Sequence, residues 1–315
     1  MTPTRRAFAS LLAATAVTGC AAPQIVTRDD KRDPFEGGIG GTGIVGTLTE
    51  FGSLKINGLR VELTSRTRIL TPAGQVGDGA LAPGQGLTVL ATRSRDRLVA
   101  RHVSINYPLV GTVAVADGRL RVNGVPVVPQ PGVLGTAAPG QRVAVSGIWR
   151  GSHVAASRFD AAGDLPDVIA GIAGRSPTGT DVAGVPIVGE SGRIFPETGA
   201  FVTAAGRYLG GVLSAERIQG GRFVTGTSGL RQLSVEGYLE PTRRAPGYRV
   251  SGLGHSFARD LRLDPLATRR ALYFGPYDGL FRATSGYPLP ESVPARRALL
   301  SEGFVPDLAA RAVPI

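Results

Sequence analysis

The sequence predicts an all-β chain built from tandem small five-stranded β-barrels, with one short helix near the C-terminus. Three observations predict this fold class. The 315 residues include 45 glycines and 23 prolines, spread without a three-residue period, which suits many short strands joined by tight turns. Apolar and polar residues alternate with a period of two between those turns. Similar segments then recur at intervals of about 60 to 66 residues.

Residues 1–19 have the layout of a bacterial signal peptide. A basic start contains Arg5 and Arg6, a short apolar stretch covers 7–17, and small residues lead to Cys20. This order resembles the lipobox of bacterial lipoproteins, in which the cysteine becomes the acylated first residue of the mature chain. The resemblance implies cleavage before Cys20 and a lipid anchor there, where two or three acyl chains give stable attachment.

The export route and the destination are further expectations from resemblance. Arg5 and Arg6, followed by Ala7 and Phe8, resemble the twin-arginine export motif, and general secretion is the alternative route. Ala21 after the cysteine implies a place in the inner leaflet of the outer membrane, facing the periplasm. Residues 20–41 are polar and Gly-rich, which predicts a flexible tether to the first folded unit.

Four repeated units follow the tether, with first strands around Gly46, Gly111, Gly171 and Gly237. Units 1 and 2 share a Gly-Thr start, an alternating strand, an Asn-Gly pair and a second alternating strand. Unit 3 has Ala183 in place of the asparagine, and unit 4 is the most degenerate. Their predicted bounds are 42–106, 107–162, 167–220 and 232–287. Residues 288–315 form a tail whose Pro294–Gly303 segment predicts a single helix.

Turn residues predict the strands inside each unit. Asn57-Gly58 and Asn123-Gly124 predict type I′ hairpins, because both turn residues must adopt positive φ. The Pro-Gly pairs at 83–84 and 139–140 predict a turn before the fourth strand. About five strands per unit result, and closing them into a barrel removes exposed edges. A continuous β-solenoid, or a sandwich that shares strands between units, is the alternative packing.

The order of strands and turns resembles a small OB-like barrel. It also resembles the bacterial domain of unknown function 5666 family, whose pattern is Gly-Thr-Val, then Asn-Gly, then Gly-Gln-x-Val, then Ala-x-x-Ile. The resemblance is good over 46–106 and 111–160, weaker in unit 3 and poorest in unit 4. It implies an exported protein with tandem copies of this module, and it implies no known activity.

The formal net charge of +11 comes from 35 basic residues, of which only Lys31 and Lys55 are lysines. An arginine recurs near the alanine of the last strand of each unit. If these side chains share one face, they form a row for an anionic partner such as lipopolysaccharide phosphates or peptidoglycan carboxylates. Solvated arginines at strand ends are the alternative interpretation. The candidate anion-binding residues are Arg101, Arg158, Arg217 and Arg282.

The sequence contains no recognisable catalytic or metal-binding constellation. One cysteine excludes an internal disulfide and a thiolate zinc site, and His102, His153 and His255 lie far apart. OB folds that bind nucleic acid need aromatic platforms, which units 1 and 2 almost lack. We therefore expect no cofactor, no metal and no nucleic-acid partner.

These features predict a non-enzymatic lipoprotein of the cell envelope with a binding or scaffolding role in the periplasm. The expected partners are the membrane, through the lipid anchor, and an anionic envelope polymer or another envelope protein. Two alternatives stay open. One is an accessory subunit of an envelope complex, and the other is a twin-arginine-exported enzyme or cofactor carrier.

Overall fold

The computed structural model shows a chain made almost entirely of β-strands with one short α-helix. The predicted all-β class and the C-terminal helix are thereby confirmed. The predicted signal peptide and most of the tether lie outside the described residues. Within the described part, no helix is long and apolar enough to cross a membrane. The structure describes residues 41–94, 97–177, 179–189, 197–223, 229–241, 248–251, 253, 256–257, 269–283, 285–301 and 313–314.

Unit 1 contains a five-stranded ring and an additional hairpin. The ring runs β1-β2-β3-β7-β6 and returns to β1, and only the β3–β7 pairing is parallel. The additional hairpin β4–β5 attaches to the ring because β4 pairs in parallel with β7. The strands are β1 (Gly41–Glu50), β2 (Leu54–Ile56), β3 (Leu59–Glu62), β4 (Arg68–Thr71), β5 (Gly74–Val76), β6 (Gly86–Ser94) and β7 (Arg97–Asn106).

Unit 2 is a closed barrel of five strands, in agreement with the predicted strand number. The first strand pairs with the second and fourth, the second with the third, and the fifth with the third and fourth. This is the pairing order of the unit 1 ring, including the single parallel contact between the third and fifth strands. The strands are β8 (Leu109–Ala116), β9 (Arg119–Val122), β10 (Val125–Leu134), β11 (Arg142–Arg150) and β12 (His153–Ala161).

Unit 3 repeats the ring of unit 2 strand for strand, with the same antiparallel pairs and the same parallel third–fifth pair. The first strands of the two units also pair with each other, at Val110↔Val168 and Leu109↔Ile169. The strands are β13 (Asp167–Ser176), β14 (Gly179–Val182), β15 (Val185–Gly189), β16 (Phe201–Leu209) and β17 (Val212–Gly220).

Unit 4 does not close a ring within its described residues. Its first strand pairs with β22, whereas β19, β20 and β21 form a separate three-stranded sheet. Around Asp278-Gly279 the chain forms one isolated bridge, Tyr277↔Phe281. The elements are β18 (Leu230–Gly237), β19 (Leu239–Pro241), β20 (Tyr248–Val250), β21 (Ser256–Phe257), β22 (Ala271–Pro276), β23 (Ser285–Pro288), α1 (Val293–Ser301) and β24 (Val313–Pro314).

The first strands of the units join the molecule together. β1 of unit 1 runs parallel to β18 of unit 4, from Gly41↔Leu230 to Val45↔Val235. β8 of unit 2 and β13 of unit 3, which are also first strands, pair with each other in the antiparallel direction. The rings are closed within units 1, 2 and 3, and sheet pairing also continues between the first strands of different units. One buried apolar cluster fills unit 1 and extends to Phe201 of unit 3, and a second fills units 2 and 3.

The predicted Asn-Gly turns are confirmed, because Asn57 and Asn123 have φ values of 56° and 49° and each is followed by a glycine of positive φ. The two side chains also fold inward and are buried. Asn123 Nδ2 donates to the carbonyl of Val110 at 2.8 Å and to that of Val168 in unit 3 at 3.1 Å. A Cβ on Gly111 would lie 2.0 Å from the Asn123 oxygen. The first residue of the Gly-Thr start must therefore be glycine, because any side chain there would displace the Asn123 amide.

Candidate functional site

The structure places the four candidate arginines in different environments. Arg101 is exposed, and Arg158 binds Asp160 at 2.6 Å. Arg217 is exposed and donates to the carbonyl of Pro72 at 2.6 Å. Arg282 pairs with Asp278 in a solvent-exposed ion pair. Cys20, Arg5 and Arg6 lie outside the described residues.

The strand register places Arg101 differently from Arg158 and Arg217. The fourth and fifth strands of each ring shift register at the same place, between Leu90 and Ala91, Ser146 and Gly147, and Ala205 and Gly206. This bulge puts His102, Arg158 and Arg217 at equivalent positions, whereas Arg101 is the extra residue of the bulge in unit 1. The equivalent arginines Arg158 and Arg217 each donate to a proline carbonyl of unit 1, Pro83 and Pro72.

A cleft of about 290 Å³ lies between units 1 and 3, and we call it the inter-unit cleft. Unit 1 contributes residues of β4, of the turn after it and of β7, and the link to β8 adds Tyr107 and Pro108. Unit 3 contributes Ala170 of β13, Phe201 and Thr203 of β16, and the residues on and after β17. This volume lies at the lower end of the range of small-molecule sites, which often form between packed elements.

The walls of the inter-unit cleft are largely apolar, with polar groups at a few places. Hydroxyl and amide groups come from Thr71, Ser104, Asn106, Thr203 and Gln219. The apolar surface comes from Leu70, Pro72, Ile105, Pro108, Ala170 and Phe201.

Two arginines supply the charge of the inter-unit cleft. Arg217 lies on β17, and Arg222 follows that strand. The described residues that line the cleft carry these two positive charges and no negative charge. An anion that enters the cleft therefore meets two cations and no lining carboxylate.

Arg222 is held by contacts to both units. Its guanidinium carbon lies over the Phe201 ring, 4.6 Å from the ring centroid, which is within the range of a cation–π interaction. With the amide of Asn106 oriented so that its oxygen faces the donors, that oxygen accepts from Arg222 Nη1 at 3.2 Å and from Thr88 N at 2.9 Å. Arg222 of unit 3 thus reaches β7 of unit 1, as Arg217 reaches the turn after β4.

The protonation states of the cleft follow from burial. Burial lowers the pKa of Arg222 to about 10, so the side chain stays cationic at neutral pH. Burial and the Asp160 carboxylate raise the pKa of Tyr107 to about 12, so its phenol stays neutral and can act as a donor. Arg222 therefore contributes a positive charge to the inter-unit cleft at any pH well below 10.

The described residues hold no group of three His, Cys, Asp or Glu side chains that could bind a metal ion. Burial, reinforced by neighbouring arginines, lowers the pKa of both His102 and His153. His255 lies outside the described residues. The arrangement at the inter-unit cleft supports binding through charge and apolar contact.

Sequence reasoning identified one residue of the inter-unit cleft, Arg217, through its place in the repeat. It missed Arg222, Phe201 and Tyr107. Tyr107 lies in the link between units 1 and 2, and Arg222 follows the last strand of unit 3, so neither belongs to the repeated pattern. Their position just beyond the ends of repeats was the available signal, because that is where one unit meets another.

The family model described as Domain of unknown function (DUF5666) matches residues 42–104. These residues run from β1 to β7 and cover the ring of unit 1 with its additional hairpin. The sequence resemblance to this family is confirmed for unit 1. No curated protein matches the chain, and no solved structure matches it.

Proposed function

We propose that the chain is a lipid-anchored, non-enzymatic binding protein of the cell envelope, and that the inter-unit cleft is its binding site. The observation that carries the proposal is the pairing of Arg217 and Arg222 with apolar walls in a cleft whose described lining residues include no carboxylate. Such a cleft favours an anionic group of an envelope polymer. The protein then links the membrane to that polymer.

Units 2 and 3 are, in this proposal, further copies of the module matched in unit 1. Two features support it. The three rings share one pairing order, with a parallel contact only between the third and fifth strands. They also share the bulge between the fourth and fifth strands. Repetition of the module creates the inter-unit cleft, because its two walls come from two units.

The anchor in this proposal is Cys20, with twin-arginine export through Arg5 and Arg6. Residues 21–40 separate the anchor from β1, and a fully extended chain of this length spans about 70 Å. That reach lets the folded units contact a polymer layer that lies away from the membrane surface. The proposed location is the inner leaflet of the outer membrane, on the periplasmic side.

The test uses the mature chain from residue 20 with Cys20→Ser, which removes the proposed lipidation site. The protein is mixed with purified sacculi or with lipopolysaccharide and sedimented across a salt series. We expect retention that decreases steeply as salt rises, because the contact is electrostatic. Arg217→Ala should weaken retention about tenfold or more, whereas Arg101→Ala, an exposed arginine outside the cleft, should leave it unchanged.

Two outcomes would replace the proposal with one of the alternatives. If neither polymer retains the protein while one envelope protein binds it specifically, the chain is an accessory subunit. If the protein purified from its own host carries a bound cofactor, the chain is an exported cofactor carrier or enzyme. Equal loss of retention in the Arg217 and Arg101 variants would show that general surface charge, and not the inter-unit cleft, binds the polymer.

A further inference from the structure

We infer that the inter-unit cleft binds a monocarboxylate that carries a hydrocarbon body. This inference rests on the proposed function and names the chemical class of its ligand. The cleft combines cationic and apolar surface in one place. Arg217 and Arg222 supply the charge, while Leu70, Ile105, Ala170 and Phe201 supply hydrocarbon contact. A ligand that uses both kinds of surface must itself have an anionic group and an apolar part.

Arg217 is the residue expected to contact the carboxylate directly. Its side chain is exposed, and within the described structure its hydrogen bond goes to one backbone carbonyl, that of Pro72. A guanidinium has five N–H donors, so one such bond leaves donors on Arg217 for a second acceptor. The planar guanidinium fork matches the two oxygens of a carboxylate. The Pro72 contact holds Arg217 at the edge of the inter-unit cleft.

Arg222 has a different part in the inter-unit cleft. Its guanidinium lies against the Phe201 ring and is held by Asn106. In this position the charge contributes a fixed positive field beside an apolar wall, without the entropy cost of ordering a long side chain when the ligand binds. The apolar part of the ligand then packs on Phe201, Ile105 and Leu70, from which it displaces water.

The surroundings favour a carboxylate over a phosphate. Arginine side chains bind phosphate as well as carboxylate, but many phosphate sites also use backbone N–H groups at helix N-termini or in glycine-rich nests. The described residues that line the inter-unit cleft all lie in strands or in links between strands. Their donors are side chains on largely apolar walls, which would poorly replace the hydration of a phosphate dianion. A single carboxylate with a hydrocarbon body fits these walls better.

The experiment is calorimetric titration of the mature Cys20→Ser chain with acetate, butanoate, hexanoate, 1-hexanol and inorganic phosphate. We expect affinity to rise from acetate to hexanoate by about fourfold per methylene that enters the cleft. Hexanoate should bind at least tenfold more tightly than 1-hexanol, because the alcohol lacks the charge. Tighter binding of phosphate than of hexanoate, equal binding of the alcohol, or no binding of any acid would overturn the inference.

Three variants assign the binding to the inter-unit cleft. Arg217→Ala should weaken hexanoate binding about tenfold or more, Arg217→Lys should recover part of it through charge alone, and Arg101→Ala should leave it unchanged. Thermal unfolding of each variant checks that loss of the Pro72 contact has not unfolded the protein. If Arg217→Ala is folded and binds hexanoate like the parent chain, the acid binds elsewhere and the inference is wrong.

The sacculus and lipopolysaccharide assays separate this inference from the proposed function. Retention on a polymer that depends on Arg217, together with no affinity for free acids, would keep the binding role and remove the monocarboxylate class. Affinity for hexanoate with no retention on either polymer would keep the ligand class and show that its source is a free acid. Retention on sacculi that hexanoate displaces would place the carboxylate on the polymer.

Discussion

At the scale of single residues, one asparagine in each of units 1 and 2 both forms a turn and binds neighbouring strands. Asn57 and Asn123 form the hairpin turn and then donate their buried amides to neighbouring strands. Asn57 Nδ2 donates to Val45 O of its own unit at 3.0 Å and to Ser234 O of unit 4 at 3.2 Å. Asn123 Nδ2 donates equivalently to Val110 O of its own unit and to Val168 O of unit 3. The turn residue of one unit thus binds the first strand of another.

Unit 3 replaces this amide with a tryptophan from unit 2. Ala183 stands at the asparagine position and keeps its positive φ of 54°. Trp149 Nε1 donates to Ala170 O at 2.7 Å, and Ala170 corresponds to Val45 and Val110 of the first two units. The carbonyl at this position of the first strand therefore accepts a side-chain hydrogen bond in all three units, although a different residue supplies it in unit 3.

Substitution by glycine at the two equivalent turn positions should have opposite effects. Asn123→Gly keeps the backbone conformation and removes the amide, which leaves the buried carbonyls of Val110 and Val168 without that donor. We expect it to lower the free energy of unfolding by about 1–3 kcal/mol. Ala183→Gly relieves the strain of an alanine at positive φ, and we expect it to raise the free energy of unfolding by about 0.5–1 kcal/mol. Chemical denaturation measures both changes. An Asn123→Gly variant as stable as the parent chain would contradict the stabilising role of the Asn123 amide.

The turn chemistry could be predicted from the sequence, but the partners of the turn residues could not. Asn-Gly pairs have a local signature, since both residues accept positive φ. The acceptors of the Asn57 and Asn123 amides lie in other units, and the Arg217 acceptor, Pro72, is 145 residues away. Such contacts depend on how the units pack. The same reason explains why Arg217 was recognised as a candidate while its cleft was not.

At the scale of elements, the bulge in the last hairpin of each ring sets where side chains point. It inserts Arg101, Ser157 and Glu216 as extra residues on β7, β12 and β17. After the bulge, Arg158 and Arg217 return to register and reach unit 1. A one-residue shift turns a side chain to the opposite face of the strand. Arg101, which is the extra residue of the bulge in unit 1, is therefore not at the register position of Arg158 and Arg217.

A glycine opposite the bulge keeps the two strands of the unit 3 hairpin close together. A Cβ on Gly206 would lie 2.0 Å from Ser214 O and 2.9 Å from the Ala215 Cα. Both are backbone atoms, so Gly206→Ala must push β16 and β17 apart locally. Unit 1 has Ala91 at this register position, so the ring can adapt to a Cβ at a cost and the variant should still fold.

We expect Gly206→Ala to lower the free energy of unfolding by about 1–3 kcal/mol. The matched control is Gly77→Ala, because Gly77 has φ −81° and no atom near an added Cβ; it should change stability by less than about 0.5 kcal/mol. Because Arg217 follows this bulge, Gly206→Ala should also weaken hexanoate binding more than Gly77→Ala does. Equal stability of the two variants in urea denaturation would refute the steric argument.

At the scale of the whole molecule, one buried charged cluster joins units 1, 2 and 4 and the C-terminal helix. Glu236 of β18 binds Arg270 at 2.6 Å and Arg296 of α1 at 3.1 Å, and all three side chains are buried. Arg270 also donates to Thr47 Oγ1 of unit 1 and to Gln130 Oε1 of unit 2. The predicted helix is therefore attached to the body by a charged side chain as well as by packing.

The charge balance of this cluster depends on Glu236. Burial alone would raise the pKa of its carboxyl, but Arg270 and Arg296, with hydrogen bonds from Arg270 and Thr47, lower the pKa to about 2 from an ordinary value of 4.5. Because the folded pKa lies below the unfolded one, Glu236 contributes stability fully above about pH 4.5. That contribution is lost as the pH falls toward 2.

Glu236→Gln should remove both the charge and its pH dependence. The variant leaves Arg270 and Arg296 buried beside each other without their shared carboxylate, so we expect a loss of about 3–5 kcal/mol at neutral pH. Glu62→Gln is the matched control, since Glu62 pairs with Arg97 in a more exposed ion pair that should contribute less than about 1 kcal/mol. Denaturant unfolding of the parent chain and both variants between pH 2 and 7 measures these differences.

The stability difference between the parent chain and the Glu236 variant should shrink as the pH falls below 4.5, because the parent carboxyl then loses its advantage over the neutral amide. The corresponding difference for Glu62→Gln should stay small throughout. A constant difference for Glu236→Gln across this range would mean that the amide fails through its shape or hydrogen bonding, and that charge does not hold the units together. Loss of α1 alone at low pH, seen as partial helix loss before global unfolding, would place the effect at Arg296, where the helix meets the cluster.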